Sequence, residues 1–64
     1  MQAVEEAYYT LQEIADRLKV SYRTVYRWVR SGRLAAYKFG QDWRVSESDL
    51  RAFIESHRVK GDEE

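Results

Sequence analysis

Only Lys19, Val20 and Ser21 separate two stretches that both read as amphipathic helices, and so short a connection leaves a chain few ways to fold. The first stretch opens at Thr10, with Glu13 three residues on. In such a capping box each side chain satisfies a backbone N–H at the helix start. Tyr9 and Ile14 flank that cap as a hydrophobic staple. Leu11, Ile14, Ala15 and Leu18 recur at helical spacing and predict a helix over 11–18. Ser21 caps the second helix, with Val20 and Val25 as its staple. That helix runs to about Ser31, and Gly32 is a natural stop. Two helices joined this tightly are held at a steep angle, the helix-turn-helix arrangement.

Downstream, Leu34–Phe39 and Trp43–Val45 read as two strands around the turn Gly40-Gln41-Asp42. Their aromatic and β-branched residues favour strands, and the glycine permits positive φ. Ser46 and Asp49 form a third cap, stapled by Val45 and Leu50, ahead of a helix over about 47–57. Its buried face is expected to be Leu50, Phe53 and Ile54. The reading is a mainly α domain with a small β-hairpin, in the order α-α-β-β-α. Domain bounds follow: loose residues 1–7, a folded domain over 8–58, and a loose acidic tail over 59–64.

With 64 residues and no cysteine, the chain offers one small core, no disulfide and no thiolate metal site. No apolar run approaches the length of a membrane span or a signal core. Together these features place the expected site of action in the cytoplasm.

Formal net charge is zero, which taken alone argues against a nucleic-acid partner. Its distribution argues the opposite. Between Arg17 and Arg44 lie eight Lys/Arg and one acid, Asp42, a local balance of +7. Four acids and no base precede that stretch, and six acids against three bases follow it. Salt screens charges beyond about 10 Å, so a polyanion meets the local field rather than the total.

At about 100° per residue, Tyr22, Arg23, Tyr26, Arg27 and Arg30 fall within an arc of about 140° on the second helix. Val25, Trp28 and Val29 fall on the other side. An arginine fork takes guanine O6 and N7 together or clamps a phosphate. Tyrosine offers a hydroxyl to phosphate and a ring to a sugar or a thymine methyl. A helix of this diameter fits the major groove of B-DNA.

The run Leu11-Gln-Glu-Ile-Ala-Asp-Arg-Leu-Lys-Val-Ser-Tyr-Arg-Thr-Val-Tyr-Arg-Trp28 resembles the helix-turn-helix of bacterial excisionase-type DNA-binding proteins. These are small relatives of the mercury-resistance-regulator (MerR) superfamily. The resemblance extends through Gly32-Arg-Leu34, Tyr37-Lys-Phe39-Gly40, Trp43-Arg44-Val45 and Ser46-x-x-Asp49-Leu50, covering about residues 8–57. It implies a winged helix, with the recognition helix (about 22–31) in the major groove and the hairpin wing (about 34–45) near the backbone or minor groove. It also implies a role in site-specific recombination or transcriptional control, with head-to-tail self-association on DNA or a recombinase partner. Ser21, Tyr22, Arg23, Tyr26 and Arg27 match the family's recognition surface, and Lys38, Gln41 and Arg44 match its wing. Two positions depart from the pattern. Lys19 stands where generic turns carry glycine, and Asp42 stands at the wing tip, where relatives carry glycine or a base.

The expected division assigns base edges to Tyr22, Arg23, Tyr26 and Arg27, and phosphate or wing contacts to Arg17, Ser21, Arg30, Lys38, Gln41 and Arg44. Trp28 and Trp43 are read as core, and Tyr8 and Tyr9 as a packing lid over the first helix. Ser46 and Ser48 lack an activating base, and His57 lacks companions for a metal site. No catalytic residue, metal, cofactor, membrane contact or small-molecule ligand is expected. Double-stranded DNA is the expected partner. The rival is a protein-interaction module that docks an acidic partner on the same Arg/Tyr face.

Overall fold

The computed structural model describes residues 7–59. The expected loose ends therefore lie, but for Ala7 and Val59, outside the described residues. Six elements follow one another: β1 (Tyr8–Thr10), α1 (Leu11–Leu18), α2 (Tyr22–Arg30), β2 (Tyr37–Phe39), β3 (Asp42–Ser46) and α3 (Glu47–Ser56). Three helices and a small antiparallel sheet make a winged helix-turn-helix.

Strand β1 adds an element to the expected order. The sheet runs β1-β3-β2, with Tyr8 opposite Ser46, Tyr9 opposite Val45 and Thr10 opposite Arg44. Thr10 thus ends a strand and caps a helix at once. Tyr9 packs against the core. Tyr8 meets Tyr37 and Phe39 edge-on, with centroids at 6.0 and 6.2 Å. The expected lid over helix one is corrected accordingly: Tyr8 lies on the sheet, because its aromatic neighbours are across β3.

The three caps form as their spacing predicts. Thr10 Oγ1 accepts from Glu13 N at 3.0 Å, while Glu13 Oε1 accepts from Thr10 N at 2.8 Å. Ser21 Oγ accepts from Thr24 N at 3.1 Å and Ser46 Oγ from Asp49 N at 3.2 Å. Between α1 and α2, Lys19 adopts a left-handed conformation (φ 59°, ψ 45°), and Val20 N donates to the Ala15 carbonyl at 3.0 Å. That reversal steers α2 across α1.

Helix α2 ends in a Schellman motif. Gly32 takes φ 82°, its N–H bonds Val29 O at 3.1 Å, and Arg33 N bonds Trp28 O at 2.9 Å. Leu34 N also reaches Trp28 O, at 3.2 Å. Residues 34–36, expected to begin a strand, are instead loop. Leu34 is drawn into the core at 1% exposure, and pairing starts only at Tyr37. The hairpin turn is also tighter than expected. Asp42 pairs with Phe39 inside the ladder, leaving Gly40-Gln41 as a two-residue turn. Gly40 has φ 65° and Gln41 does not share its positive φ, the signs of a type II′ turn.

Leu11, Ile14, Ala15, Val25, Val29, Leu34, Val45, Leu50 and Phe53 make the core. Trp28 and Trp43 are half-buried against it. Ile54, expected inside, is 44% exposed. Helix α3 faces the core along the narrow line of Leu50 and Phe53, and Ile54 falls beside it. There it borders an apolar groove with Leu18, Val20, Trp28 and Phe53.

Candidate nucleic-acid interface

Helix α2 reads Tyr-Arg-Thr-Val-Tyr-Arg-Trp-Val-Arg and holds no acid. Val25 and Val29 are 0% and 8% exposed and anchor one side. Tyr22, Arg23, Tyr26, Arg27 and Arg30 are all exposed on the other. The arrangement follows from the cap at Ser21, which starts the helix one residue before Tyr22 and so sets the phase of the stripe.

The acids that cancel this charge sit elsewhere. Both ion pairs among the described residues involve α3: Arg51 with Glu47 at 2.7 Å, and Arg58 with Glu55 at 3.4 Å. On α1, Asp16 accepts a hydrogen bond from Gln12 Nε2 at 3.1 Å. Neutrality of the chain and a cationic α2 are thus compatible, because opposite charges occupy different elements.

The cations themselves fall into two groups. Arg17 lies over the Tyr9 ring (5.0 Å), Lys38 over the Trp43 ring (5.1 Å), and Arg30 over the Tyr26 ring (5.9 Å). Arg30 Nη1 also donates to Tyr26 Oη at 3.4 Å, and Arg44 Nη1 to the Trp43 carbonyl at 2.9 Å. The side chains of Arg23, Arg27, Arg33 and Lys19 have no hydrogen-bond, ion-pair or ring partner among the described residues. Tyr22 and Tyr26 stack at 6.3 Å with their planes 17° apart.

The hairpin and the start of α2 border a cleft of about 300 Å³, lined by Tyr22 with Gln41, Asp42, Trp43 and Arg44 and by the start of α1, Thr10 to Gln12. The structure therefore brings Tyr22, Gln41 and Arg44 together. Arg17 and Lys38 stand apart from that cleft, held on aromatic rings. The Ser21 hydroxyl caps α2 and also pairs with Thr24 Oγ1 at 2.9 Å. Sequence reasoning missed Gln12 at the cleft and Lys19 as an unpartnered cation. Gln12 was visible as an exposed polar residue in the first turn of α1, but its nearness to the wing depends on β1.

His57 Nδ1 bonds the Phe53 carbonyl at 2.9 Å, and no group of three His, Cys, Asp or Glu could hold a metal among the described residues. No described helix is long and apolar enough to cross a membrane.

Comparison with known proteins agrees with this geometry. Residues 8–58 match the family described as "Helix-turn-helix domain". The uncharacterized protein YvgK of Bacillus subtilis is 42% identical over 55 residues, covering 86% of this chain and 18% of YvgK. The uncharacterized protein Rv2310 of Mycobacterium tuberculosis is 41% identical over 51 residues, covering 80% of this chain and 45% of Rv2310. The chain thus spans less than half the length of these curated relatives. No solved structure matches it significantly. A capped three-residue turn, an acid-free second helix, a wing beside it and a match across 8–58 lead to one conclusion: the chain belongs to the excisionase-type helix-turn-helix family, a family of DNA-binding and generally non-enzymatic domains.

Proposed function

We propose that this domain reads a specific sequence in double-stranded DNA, as an excisionase-like recombination directionality factor or a small transcriptional regulator of the bacterial cytoplasm. Helix α2 enters the major groove and presents Tyr22, Arg23, Tyr26 and Arg27 to the base edges. Arg30 and Ser21 flank it on the backbone, and Lys38, Gln41 and Arg44 carry the wing toward the neighbouring phosphates. Arg17 serves the backbone from α1. The observation that carries the reading is the charge separation: α2 has three arginines and no acid, while both described ion pairs take their acid from α3.

One module of this size covers few base pairs, so useful affinity calls for several copies or a partner such as a recombinase. Selection of binding sites from random duplexes tests the proposal. Enrichment of one motif is the expected result, and its repeats tell the assembly: direct repeats for head-to-tail copies, inverted repeats for a two-fold dimer. Failure to enrich any duplex, with an acidic polypeptide bound instead, would establish the rival interaction module.

A further inference from the structure

We propose that Arg23 and Arg27 are a pair of guanine readers, so that the target contains two G·C pairs within three consecutive base pairs. This rests on the DNA-binding reading above and narrows it to a ligand chemistry.

The first constraint is which cations are available. A guanidinium already bonded to its own protein must surrender that contact before it can read a base. Arg30 is held by Tyr26 through ring and hydroxyl, Arg44 by the Trp43 carbonyl, and Arg17 lies on Tyr9. Of the arginines on α2, only Arg23 and Arg27 keep every guanidinium donor unused among the described residues.

Direction gives the second step. With Tyr22 at zero and about 100° per residue, Trp28, Val25 and Val29 stand near 240°, 300° and 340°. The line opposite their mean falls near 115°, between Arg23 at about 100° and Arg27 at about 140°; Arg30, at about 80°, shares that side but is tied to Tyr26. Tyr22 and Tyr26, at about 0° and 40°, lie on the flank, and Tyr22 lines the cleft beside the wing. In a groove, the residues opposite the core meet the floor and those on the flanks meet the walls. The arginine pair therefore faces the groove floor, and the stacked tyrosines approach base edges from its flank, beside the wall.

Chemistry then chooses the base. Arginine has donors and no acceptor. In the major groove guanine alone offers two adjacent acceptors, O6 and N7, whereas adenine pairs its N7 with a donor. Arg23 and Arg27 lie four residues apart, an axial rise of about 6 Å. Two base-pair steps rise about 6.8 Å, so the two forks fall on base pairs separated by one or none.

The test uses the 64-residue chain and sites selected from random duplexes, with each guanine in turn replaced by 7-deazaguanine. This replacement removes N7 and leaves Watson–Crick pairing intact. The expected site holds two G·C pairs within three positions, and each replacement weakens binding severalfold. Arg23→Ala and Arg27→Ala should each weaken binding about 5- to 150-fold, and each should become indifferent to the replacement at its own guanine only. Arg27→Lys keeps the charge and loses the fork, so it should lose the guanine preference while retaining the salt dependence. Circular dichroism checks that the variants remain helical. A selected site without the two G·C pairs, or replacements without effect on a duplex that still binds, would overturn the guanine assignment and leave the DNA reading standing. Loss of binding to all duplexes alike in both alanine variants would also overturn it, by assigning the arginines to phosphate. If the wild-type chain retains no duplex at all, the DNA reading falls, and the guanine pair with it.

Discussion

Trp28 on α2 packs its ring 4.8 Å from that of Phe53 on α3, with the planes tilted by 47°. This contact ties α2 to α3. Large aromatic-to-alanine changes at such sites cost about 3–5 kcal/mol. Trp28 is only half-buried, so Trp28→Ala is expected at the lower end of that range. Even that approaches the full stability of a domain this small. Urea denaturation measures it. A variant of unchanged stability that had lost DNA affinity would make the ring a contact and contradict its place in the packing.

Lys19 turns the chain between α1 and α2 at φ 59°. An L-residue in this region carries about 1–2 kcal/mol of steric cost, which glycine avoids at some entropic expense in the unfolded chain. Lys19→Gly should therefore raise stability by about 0.5–1 kcal/mol. The midpoint of chemical unfolding reports the change. A lower midpoint would mean that the lysine stem contributes packing that outweighs the backbone strain.

These two residues also show how much of the molecule was legible in the sequence. The caps at Thr10, Ser21 and Ser46 were readable because each joins residues three apart, as was the short turn at Lys19. The core line of α1 and α2 was readable from helical spacing. Strand β1 was not, because three residues carry almost no periodic signal and its partner, β3, lies more than thirty positions downstream. Leu34 looked like a strand residue by type, but its burial is set by the Schellman turn before it. Ile54 shared a helical stripe with Phe53, yet α3 is too shallowly packed to cover both. At the interface, the arginine and tyrosine stripe was legible, but its division was not. Which arginine is tied to a ring depends on side-chain contacts such as Arg17 with Tyr9, and these come from the tertiary fold.

At the wing, Asp42 is exposed, pairs with Phe39, and has no ion-pair partner among the described residues. It lines the cleft next to Tyr22 with Gln41 and Arg44, out of ion-pair distance. Asp42→Asn removes the repulsion toward phosphate and should tighten binding to specific and unrelated duplexes together, by up to about fivefold at low salt. The preferred sequence should not change. Weaker binding by a folded variant would show that the carboxylate positions a contact.

Binding of duplex DNA by the exposed face of α2 should show in the salt dependence of affinity. The slope of log affinity against log salt reports the phosphates neutralised, at about −0.9 for each on B-DNA. Wild type, Arg30→Ala on α2 and Arg51→Ala on α3 should be titrated on one duplex between low and physiological salt. Wild type should give a steep slope, Arg30→Ala a slope shallower by about one phosphate, and Arg51→Ala no change. A salt-independent wild type, or a loss confined to Arg51→Ala, would contradict binding through α2.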